Sequence, residues 1–270
     1  MKNVILVTGA SAGMGKEFAK ELLKDGNIVY GAARRVDKMD DIKQLGVKVL
    51  EMDVTDEASM VKGIETIIKD EGRIDVLINN AGFGSYGAVE DVSIDDARYQ
   101  LEVNVFGAAR LIQLVLPHMR KHKYGKIVNI SSIGGKIALP LGAWYHASKF
   151  ALEALSDALR NEVKQFGVDV VLIEPGGVKS EWGGIAMDNL IKKSSNGVYA
   201  PLAKKFADAI TNTEDKGADP MVIVELVRKA IYNKKPKTRY SGGYMAAMVL
   251  FMRKILSDRM FDKVAMSQIK

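Results

Sequence analysis

The sequence predicts an α/β fold in which a doubly wound parallel sheet carries helices on both faces. Short apolar runs rich in β-branched residues alternate with longer amphipathic segments, which is the pattern of strands and crossover helices. The runs are continuously apolar, as in parallel strands that are buried on both faces. A glycine-rich turn follows the first run. We therefore expect a ligand beyond the carboxyl ends of the strands, where the strand order reverses.

The individual elements follow from this alternation. The predicted strands are Val4–Val7, Asn27–Ala32, Val47–Glu51, Val76–Ile78, Lys126–Ile130 and Val168–Ile173. The predicted helices are Met14–Lys24, Asp56–Asp70, Ser93–Lys121, Trp144–Phe166 and Met221–Tyr232. Asp219 is the predicted N-cap of the last of these helices, with Pro220 at its first position. The length suits one domain over residues 1–270.

The segment after the sixth strand lacks this regularity. Residues 176–220 contain no convincing strand and mix Gly, Ser, Asn and charged residues with scattered apolar ones. In a compact enzyme, so long a weakly patterned insertion is often a substrate lid, and we predict a helical lid over about residues 180–212. Lys237–Tyr240 is a predicted last short strand. A C-terminal helix is expected within the extension formed by residues 241–270.

Composition narrows the classes of function. The net charge is +6, but 33 acidic residues are interspersed with the basic ones, which argues against nucleic-acid binding. The chain has no cysteine, so disulfides and cysteine-based sites are excluded and a reducing cytoplasm is the expected location. No metal site is predicted, because His118 and His146 have no partner at a ligand spacing. Val4–Val7 is too short for a signal peptide, and charges interrupt Tyr244–Leu256, so a membrane surface is not an expected partner.

The turn after the first strand has the composition of a phosphate-binding turn. It runs Thr8-Gly9-Ala10-Ser11-Ala12-Gly13-Met14-Gly15 and leads into a predicted helix. Glycines permit a tight turn and a close approach of the backbone to a pyrophosphate, and the helix N-terminus offers unpaired N–H groups. An ordinary glycine-rich turn is the alternative, but the position between the first strand and a helix favours dinucleotide binding.

A second set of residues has the pattern of an acid–base site. Tyr145 and Lys149 are four residues apart near the start of a predicted helix, so their side chains share one face. A phenol that is protonated at neutral pH suits proton donation to a carbonyl oxygen. A nearby ammonium favours the phenolate and is expected to bring the pKa of the tyrosine toward working pH. We therefore predict Tyr145 as the acid/base and Lys149 as its electrostatic partner, whereas an isolated pair would be an ordinary helical surface pair.

Four motifs in the right order resemble those of the classical short-chain dehydrogenase/reductase family over roughly residues 3–240. The family's glycine motif falls on Thr8–Gly15, and its position beside the adenine falls on Asp53-Val54. Its N-N-A-G signature falls on Asn79–Gly82, and its P-G turn falls on Pro175-Gly176. The resemblance implies a Rossmann fold, a nicotinamide dinucleotide and hydride transfer between a carbonyl compound and an alcohol. The predicted cofactor contacts are Gly9, Ser11, Gly13, Met14, Gly15, Arg34, Asp53, Val54, Asn80, Ala81, Gly82, Tyr145, Lys149, Pro175, Gly176 and Val178.

The resemblance also assigns a catalytic tetrad. The family's Asn–Ser–Tyr–Lys set falls on Asn104, Ser132, Tyr145 and Lys149. Ser132 would hydrogen-bond and polarise the substrate oxygen, and the family's spacing to the tyrosine selects it over Ser131. The resemblance further implies that Lys149 holds the nicotinamide ribose and that Asn104 supports a water that relays protons to Lys149.

The end of the second strand predicts which dinucleotide is preferred. An NAD site usually places a carboxylate there, but this chain has Ala33, and Arg34 and Arg35 follow. A guanidinium pairs well with a phosphate, so NADP(H) is favoured over NAD(H), and the Ser11 hydroxyl would add a contact. The carboxylate of Asp37 is the one group that would oppose NADP(H) binding, but Asp37 is expected to cap the next helix. Arg35 is alternatively a solvated charge.

Other classes of function are kept as alternatives. An epimerase or dehydratase of the extended branch would need a larger C-terminal domain than the residues after Pro175 provide. A non-catalytic dinucleotide-binding regulator would have no need of Tyr145 and Lys149 together. The tail from Lys237 to Arg259 resembles that of enzymes similar to hydroxysteroid and retinol dehydrogenases, which suggests an apolar, lipid-like carbonyl substrate. The family resemblance implies a homodimer or homotetramer.

Overall fold

Buried apolar strands build the sheet of the computed structural model, which describes residues 2–180 and 182–269. The side chains of Trp182 and Glu214 also lie outside the description. The strands are β1 Val4–Thr8, β2 Ile28–Ala33, β3 Lys48–Glu51, β4 Val76–Asn79, β5 Gly125–Ile130, β6 Val168–Pro175 and β7 Arg239–Gly242. Their order is β3-β2-β1-β4-β5-β6-β7 and all six pairings are parallel. The predicted doubly wound parallel sheet is confirmed.

Helices cover the sheet on both faces. They are α1 Gly13–Lys24, α2 Asp40–Leu45, α3 Glu57–Glu71, α4 Ile94–Leu101, α5 Gly107–His122, α6 Ala143–Val163, α7 Trp182–Ser194, α8 Ala200–Thr211, α9 Met221–Tyr232, α10 Ala246–Ile255 and α11 Asp258–Ser267. Side chains alternate along β1, so that Ile5 and Val7 pack with Phe18 of α1, while Leu6 packs with Leu111 of α5 on the opposite face. Both faces of the central strands are therefore buried core.

The predicted helix Ser93–Lys121 is interrupted. A π-helical turn, Glu102–Phe106, joins α4 to α5, and the N–H of Gly107 donates to the carbonyl of Glu102 five residues earlier. Asn104 lies in this turn. A π turn inserts one extra residue into the helical repeat, which an apolar periodicity does not reveal.

The C-terminal region also differs from its prediction. The single helix expected there is two helices, α10 and α11, because Leu256 and Ser257 have extended backbones. The last strand begins at Arg239 rather than Lys237. The segment predicted as a helical lid contains α7 and α8, although Glu181 lies outside the described residues. Among the described residues, no helix is long and apolar enough to cross a membrane.

The strand order places a crevice at one edge of the sheet. The chain goes from β1 toward β2 and β3, but continues from β4 in the opposite direction. In open α/β sheets, ligands bind at such a reversal, beyond the carboxyl ends of the strands. The turn between β1 and α1 and the loop after β4 form the two walls of this crevice.

Candidate active site

The turn between β1 and α1 has the backbone of an anion cradle. Gly9 and Gly13 have φ of 69° and 52°, in the left-handed region that favours glycine. A Cβ on Gly15 would lie 2.4 Å from the Gly9 carbonyl oxygen, so the helix and the turn touch at a position that only glycine permits. The N-cap, Ala12, makes no side-chain cap, and the first turn of α1 has no acidic residue. The free N–H groups and the local positive potential fit a dinucleotide pyrophosphate.

Hydrogen bonds join this turn to the loop after β4. The Thr8 Oγ1 accepts from the backbone N–H groups of Asn80 and Ala81, at 3.0 Å each. The Asn80 amide nitrogen donates to the Thr8 carbonyl at 2.9 Å. A Cβ on Gly9 would come within 2.9 Å of the Ala81 Cα. The two walls of the crevice are therefore held together by Thr8, which the sequence prediction did not include among the site residues.

Three of the predicted catalytic residues meet at the carboxyl end of β5. Ser132 follows this strand, and its hydroxyl hydrogen-bonds the phenol of Tyr145 from α6. The Lys149 Nζ donates to the Ile130 carbonyl at 2.9 Å and lies 6.0 Å from the centroid of the Tyr145 ring. The spacing of four along α6 brings Tyr145 and Lys149 to one face, as predicted. Ser131 is buried, and no partner for its Oγ is found in the described part of the chain.

Asn104 lies beside this group rather than within it. Its amide nitrogen donates to the Ser148 Oγ and to the Phe83 carbonyl, each at 2.9 Å. Its amide oxygen accepts from the Phe83 N–H at 3.0 Å, and a Cβ on Gly82 would approach that oxygen to 3.1 Å. Asn104 thus fixes the loop after β4 against α6, one residue from Lys149.

Burial controls the proton affinities of the site. Tyr145 and Lys149 are only 7% and 8% exposed. Burial raises the pKa of Tyr145 to about 12, opposed by the hydrogen bond with Ser132. Burial lowers the pKa of Lys149 to about 8, opposed by the negative charge of Glu153. The pKa of Tyr145 is therefore raised in this state of the site rather than brought toward neutrality, because burial outweighs the hydrogen bond with Ser132.

An apolar cluster surrounds Tyr145. The Tyr86 ring centroid is 5.7 Å from that of Tyr145 and 5.9 Å from that of Phe206 in α8. The inward residues of α7 and α8 join the same buried cluster, which contains Ala186, Met187, Leu190, Ala203 and Phe206. We call these five residues the lid face. Tyr145 belongs to the same apolar cluster, which accounts for its burial away from water.

Polar contacts fix the end of α7 to the body of the protein. The Ser194 Oγ accepts from the Ala88 N–H at 3.0 Å. The Lys193 Nζ donates to the Ser85 Oγ at 2.7 Å and pairs with Asp96 of α4 at 2.8 Å. A cavity of about 350 Å³ opens beside them, lined by Phe83, Ser85, Asp96, Tyr99, Asn189, Lys192 and Lys193. The C-terminal end of α7 is thus held to the body of the protein, close to the crevice.

The predicted adenosine end of the crevice is polar and open. Ala33 ends β2, and the Arg34 side chain is 64% exposed. The Arg34 guanidinium donates to the Tyr99 hydroxyl at 2.9 Å and lies 3.9 Å from the Asp53 carboxylate. Asp53 also accepts from the N–H and the hydroxyl of Thr55, at 2.9 and 2.8 Å. Tyr99 was not among the predicted site residues, and its distance of 65 residues from Arg34 left no local signal.

The predicted P-G turn closes the opposite end of the crevice. The Pro175 carbonyl accepts from the Ser132 Oγ at 3.4 Å. The Gly176 N–H donates to the Gly242 carbonyl at 2.8 Å, and Val178 forms a bridge with Ala218. The turn is therefore attached to the last strand before the chain enters the lid.

The chain is similar over nearly its whole length to known oxidoreductases. The family model for short chain dehydrogenases matches residues 3–188. A 3-ketodihydrosphingosine reductase of Bacteroides thetaiotaomicron is 38% identical over 93% of this chain and 91% of its own length. An NADPH-dependent 3-dehydrocapnine reductase of Ornithobacterium rhinotracheale is 36% identical over 98% of this chain and 96% of its own. A solved short-chain dehydrogenase from Streptomyces avermitilis has a TM-score of 0.79 at 30% identity, covering 98% of this chain and 94% of that one. The chain belongs to the short-chain dehydrogenase family.

Proposed function

We propose that this enzyme uses NADP(H) to reduce a ketone on an apolar, lipid-like substrate to a secondary alcohol. The observation that carries the proposal is the meeting of Ser132, Tyr145 and Lys149 under the apolar lid face, at the same sheet edge as the glycine turn. Two similar proteins support the direction and the substrate class, since they are named as reductases of 3-keto and 3-dehydro compounds.

In this proposal the glycine turn and Lys149 would hold the dinucleotide, which when bound would supply a hydride to the carbonyl carbon. Tyr145 donates its proton to the carbonyl oxygen, while the Ser132 hydroxyl hydrogen-bonds the same oxygen. A raised pKa keeps the phenol protonated and ready to donate. The Lys149 ammonium stabilises the phenolate that remains and holds the nicotinamide ribose. Asn104 orders the loop beside Lys149 and supports a water through which Lys149 is reprotonated.

The lid face supports the choice of an apolar substrate and implies that the lid moves. Tyr145 is buried and belongs to the same apolar cluster as Met187, Leu190 and Phe206, so in this proposal the lid side chains part to admit a substrate to its hydroxyl. The contacts of Ser194 and Lys193 hold the end of α7, so we expect the movement in the preceding part of that helix.

Hydrogen exchange tests the lid. Backbone amides of residues 183–193 should exchange faster in the free protein than in the ternary complex with NADPH and an unreactive alcohol, whereas amides of α9 should not change. The Trp182 side chain, an attractive fluorescent probe, lies outside the described residues. Equal exchange of the lid amides in both states would exclude closure on binding.

Arg34 supports the choice of NADP(H). The exposed guanidinium stands just beyond Ala33, which offers no carboxylate to a ribose hydroxyl. Tyr99 holds the guanidinium near the crevice, and a 2′-phosphate would compete with Asp53 for it. The name of one similar protein specifies NADPH.

The surface of the helical layer supports a homo-oligomer. Large apolar side chains are exposed there, notably Phe106 in the π turn and Phe150 in α6. Burying such a surface against a second copy would remove it from water. The solution mass of the wild type and of a Phe106→Ser, Phe150→Ser variant tests this, and equal masses would exclude the face.

A turnover assay tests the central proposal. Oxidation of NADPH is followed with a panel of ketones that includes 3-ketodihydrosphingosine, a long-chain ketone without polar groups and a short-chain ketone. We expect the highest kcat/KM for the long-chain compounds. Tight NADPH binding without turnover of any ketone would instead favour the non-catalytic regulator.

A further inference from the structure

A buried ionic cluster lies directly behind the catalytic site and is not used by the proposed mechanism. Glu153 of α6 and Glu174 of β6 are 3% and 4% exposed. The Glu153 carboxylate lies 2.7 Å from the Lys136 Nζ and accepts from the Arg239 Nε at 2.9 Å. Glu174 lies 3.3 Å from the same Arg239 nitrogen. Burying two carboxylates is costly, so the cluster calls for an explanation.

The cluster reaches Lys149 through Glu153. Glu153 follows Lys149 by one helical turn on α6, so their Cβ atoms are about 5–6 Å apart on one face. The short 3₁₀ turn after Ser132 packs on this place, where a Cβ on Gly135 would meet the Glu153 Cγ at 2.9 Å and the Lys149 carbonyl at 3.2 Å. Both side chains are buried, and the negative charge of Glu153 opposes the effect of burial on the pKa of Lys149.

We propose that Glu153 is a positioning residue of the reaction, whose carboxylate keeps the buried Lys149 ammonium charged. This inference rests on the proposed role of Lys149. Lys136 and Arg239 hold the Glu153 carboxylate in place on α6, at 2.7 and 2.9 Å. Glu174 contributes less charge, since burial and the charge of Glu153 raise its pKa to about 7.

Few other groups among the described residues contribute to the pKa of Lys149. Burial lowers the pKa of Lys149 to about 8, and Glu153 opposes this shift. The Ile130 carbonyl accepts from the ammonium, and Tyr145 is the nearest phenol. The remaining titratable or charged groups of the surroundings are His146, whose pKa burial lowers, and the more distant Asp157 and Arg160, Lys136, Glu174 and Arg239.

The pH dependence of reduction tests the inference on the full-length enzyme. Lys149 is active when protonated, so kcat/KM should be constant at low pH and fall as pH rises through its pKa. Glu153→Gln removes the opposing negative charge, lowers that pKa, and should move the alkaline fall to lower pH by about one unit or more. For a shift of one unit, the rate should drop about fivefold at the wild-type midpoint and about tenfold well above it, while the acidic plateau is kept. Glu153→Asp, which retains the charge, should lie between the two.

Two further variants make the result decisive. Asp157→Asn also removes a carboxylate from Arg239, one turn farther from Lys149, and should leave the profile unchanged. Lys136→Gln removes a half-buried cation that offsets the charge of Glu153 at Lys149, and should move the fall to higher pH, which decides the matter if Glu153→Gln does not fold.

The inference is overturned if the Glu153→Gln profile coincides with the wild type, or if its rate falls equally at every pH. If Glu153→Gln does not fold, the inference is overturned when Lys136→Gln produces no shift of the pH profile. Loss of activity in Tyr145→Phe alongside any of these results would leave the proposed function intact. Full activity in Tyr145→Phe would remove the proposed function instead.

Discussion

A tyrosine lies beside a cation at each end of the crevice, but the two pairs differ in their exposure to solvent. Tyr145 and Lys149 lie under the lid face, 7% and 8% exposed. Tyr99 and Arg34 stand at the rim, where the Arg34 side chain is 64% exposed and the two groups hydrogen-bond at 2.9 Å. At the buried end, burial raises the pKa of Tyr145 to about 12 and lowers the pKa of Lys149 to about 8. At the rim, solvent and salt screen the charge.

This difference suits the different work of the two ends. Proton transfer needs groups whose proton affinity the protein sets, and removal from water is the strongest means of setting it. Recognition of a phosphate needs a cation that is already charged and can exchange its present partner for the ligand. Variants at the buried end should therefore change rate by large factors, and variants at the rim should change affinity by small ones.

The largest effect is expected from Tyr145→Phe. The variant removes the proton that the carbonyl oxygen must receive, and general acid–base groups contribute about 10²- to 10⁴-fold. Turnover with NADPH should fall by that factor, while the dissociation constant of NADPH, measured by fluorescence titration, should stay within about twofold.

Tyr86→Phe is the matched control. It removes a second hydroxyl from the same buried cluster, 5.7 Å away between ring centroids. The turnover of Tyr86→Phe should stay within about threefold of the wild type. Such a result would show that the loss in Tyr145→Phe does not come from removing any hydroxyl of this cluster. A Tyr145→Phe enzyme that kept half of its activity would show that the buried pair is not the acid–base site.

An intermediate effect is expected at the rim. A charge-assisted hydrogen bond contributes roughly 1.5–3 kcal/mol, or about ten- to a hundredfold in affinity, and exposure favours the lower part of that range. Arg34→Ala should weaken NADPH binding by about tenfold and leave NADH binding nearly unchanged. Ala33→Asp should reverse the preference, because it repels the phosphate and offers an acceptor to the ribose hydroxyl.

Titration of both reduced cofactors at two salt concentrations checks this. The NADPH advantage of the wild type should shrink as salt rises, since the pair is exposed. Equal affinities in the wild type, or a loss of both cofactors in Arg34→Ala, would mean that Arg34 does not read the 2′-phosphate.

The same contrast explains what the sequence could predict. Strands, the glycine turn and the Tyr145–Lys149 face depend on neighbours within a few residues, and the structure has them where the local pattern placed them. The Arg34–Tyr99 contact spans 65 residues and the Glu153–Arg239 contact spans 86, so no periodicity connects them. The π turn at Asn104 was missed because one inserted residue leaves the apolar pattern nearly unchanged. The sequence does not predict the burial of Tyr145, because the lid residues of the same apolar cluster follow the tyrosine by about forty to sixty positions.

The smallest effect tests whether the rim pair is a pair at all. Tyr99→Phe keeps the ring and its contact with Phe83, at 5.6 Å between centroids, but removes the hydroxyl that accepts from Arg34. An exposed hydrogen bond contributes about 0.5 kcal/mol, so NADPH affinity should fall by about two- to threefold and NADH affinity should not change. The hydroxyl acts only by orienting the guanidinium, so Tyr99→Phe should have no effect in an Arg34→Ala background. A double-mutant cycle on NADPH affinity measures this coupling directly. Equal losses in both backgrounds would mean that Tyr99 contacts the cofactor itself, and no loss in either would mean that Arg34 needs no partner to bind the phosphate.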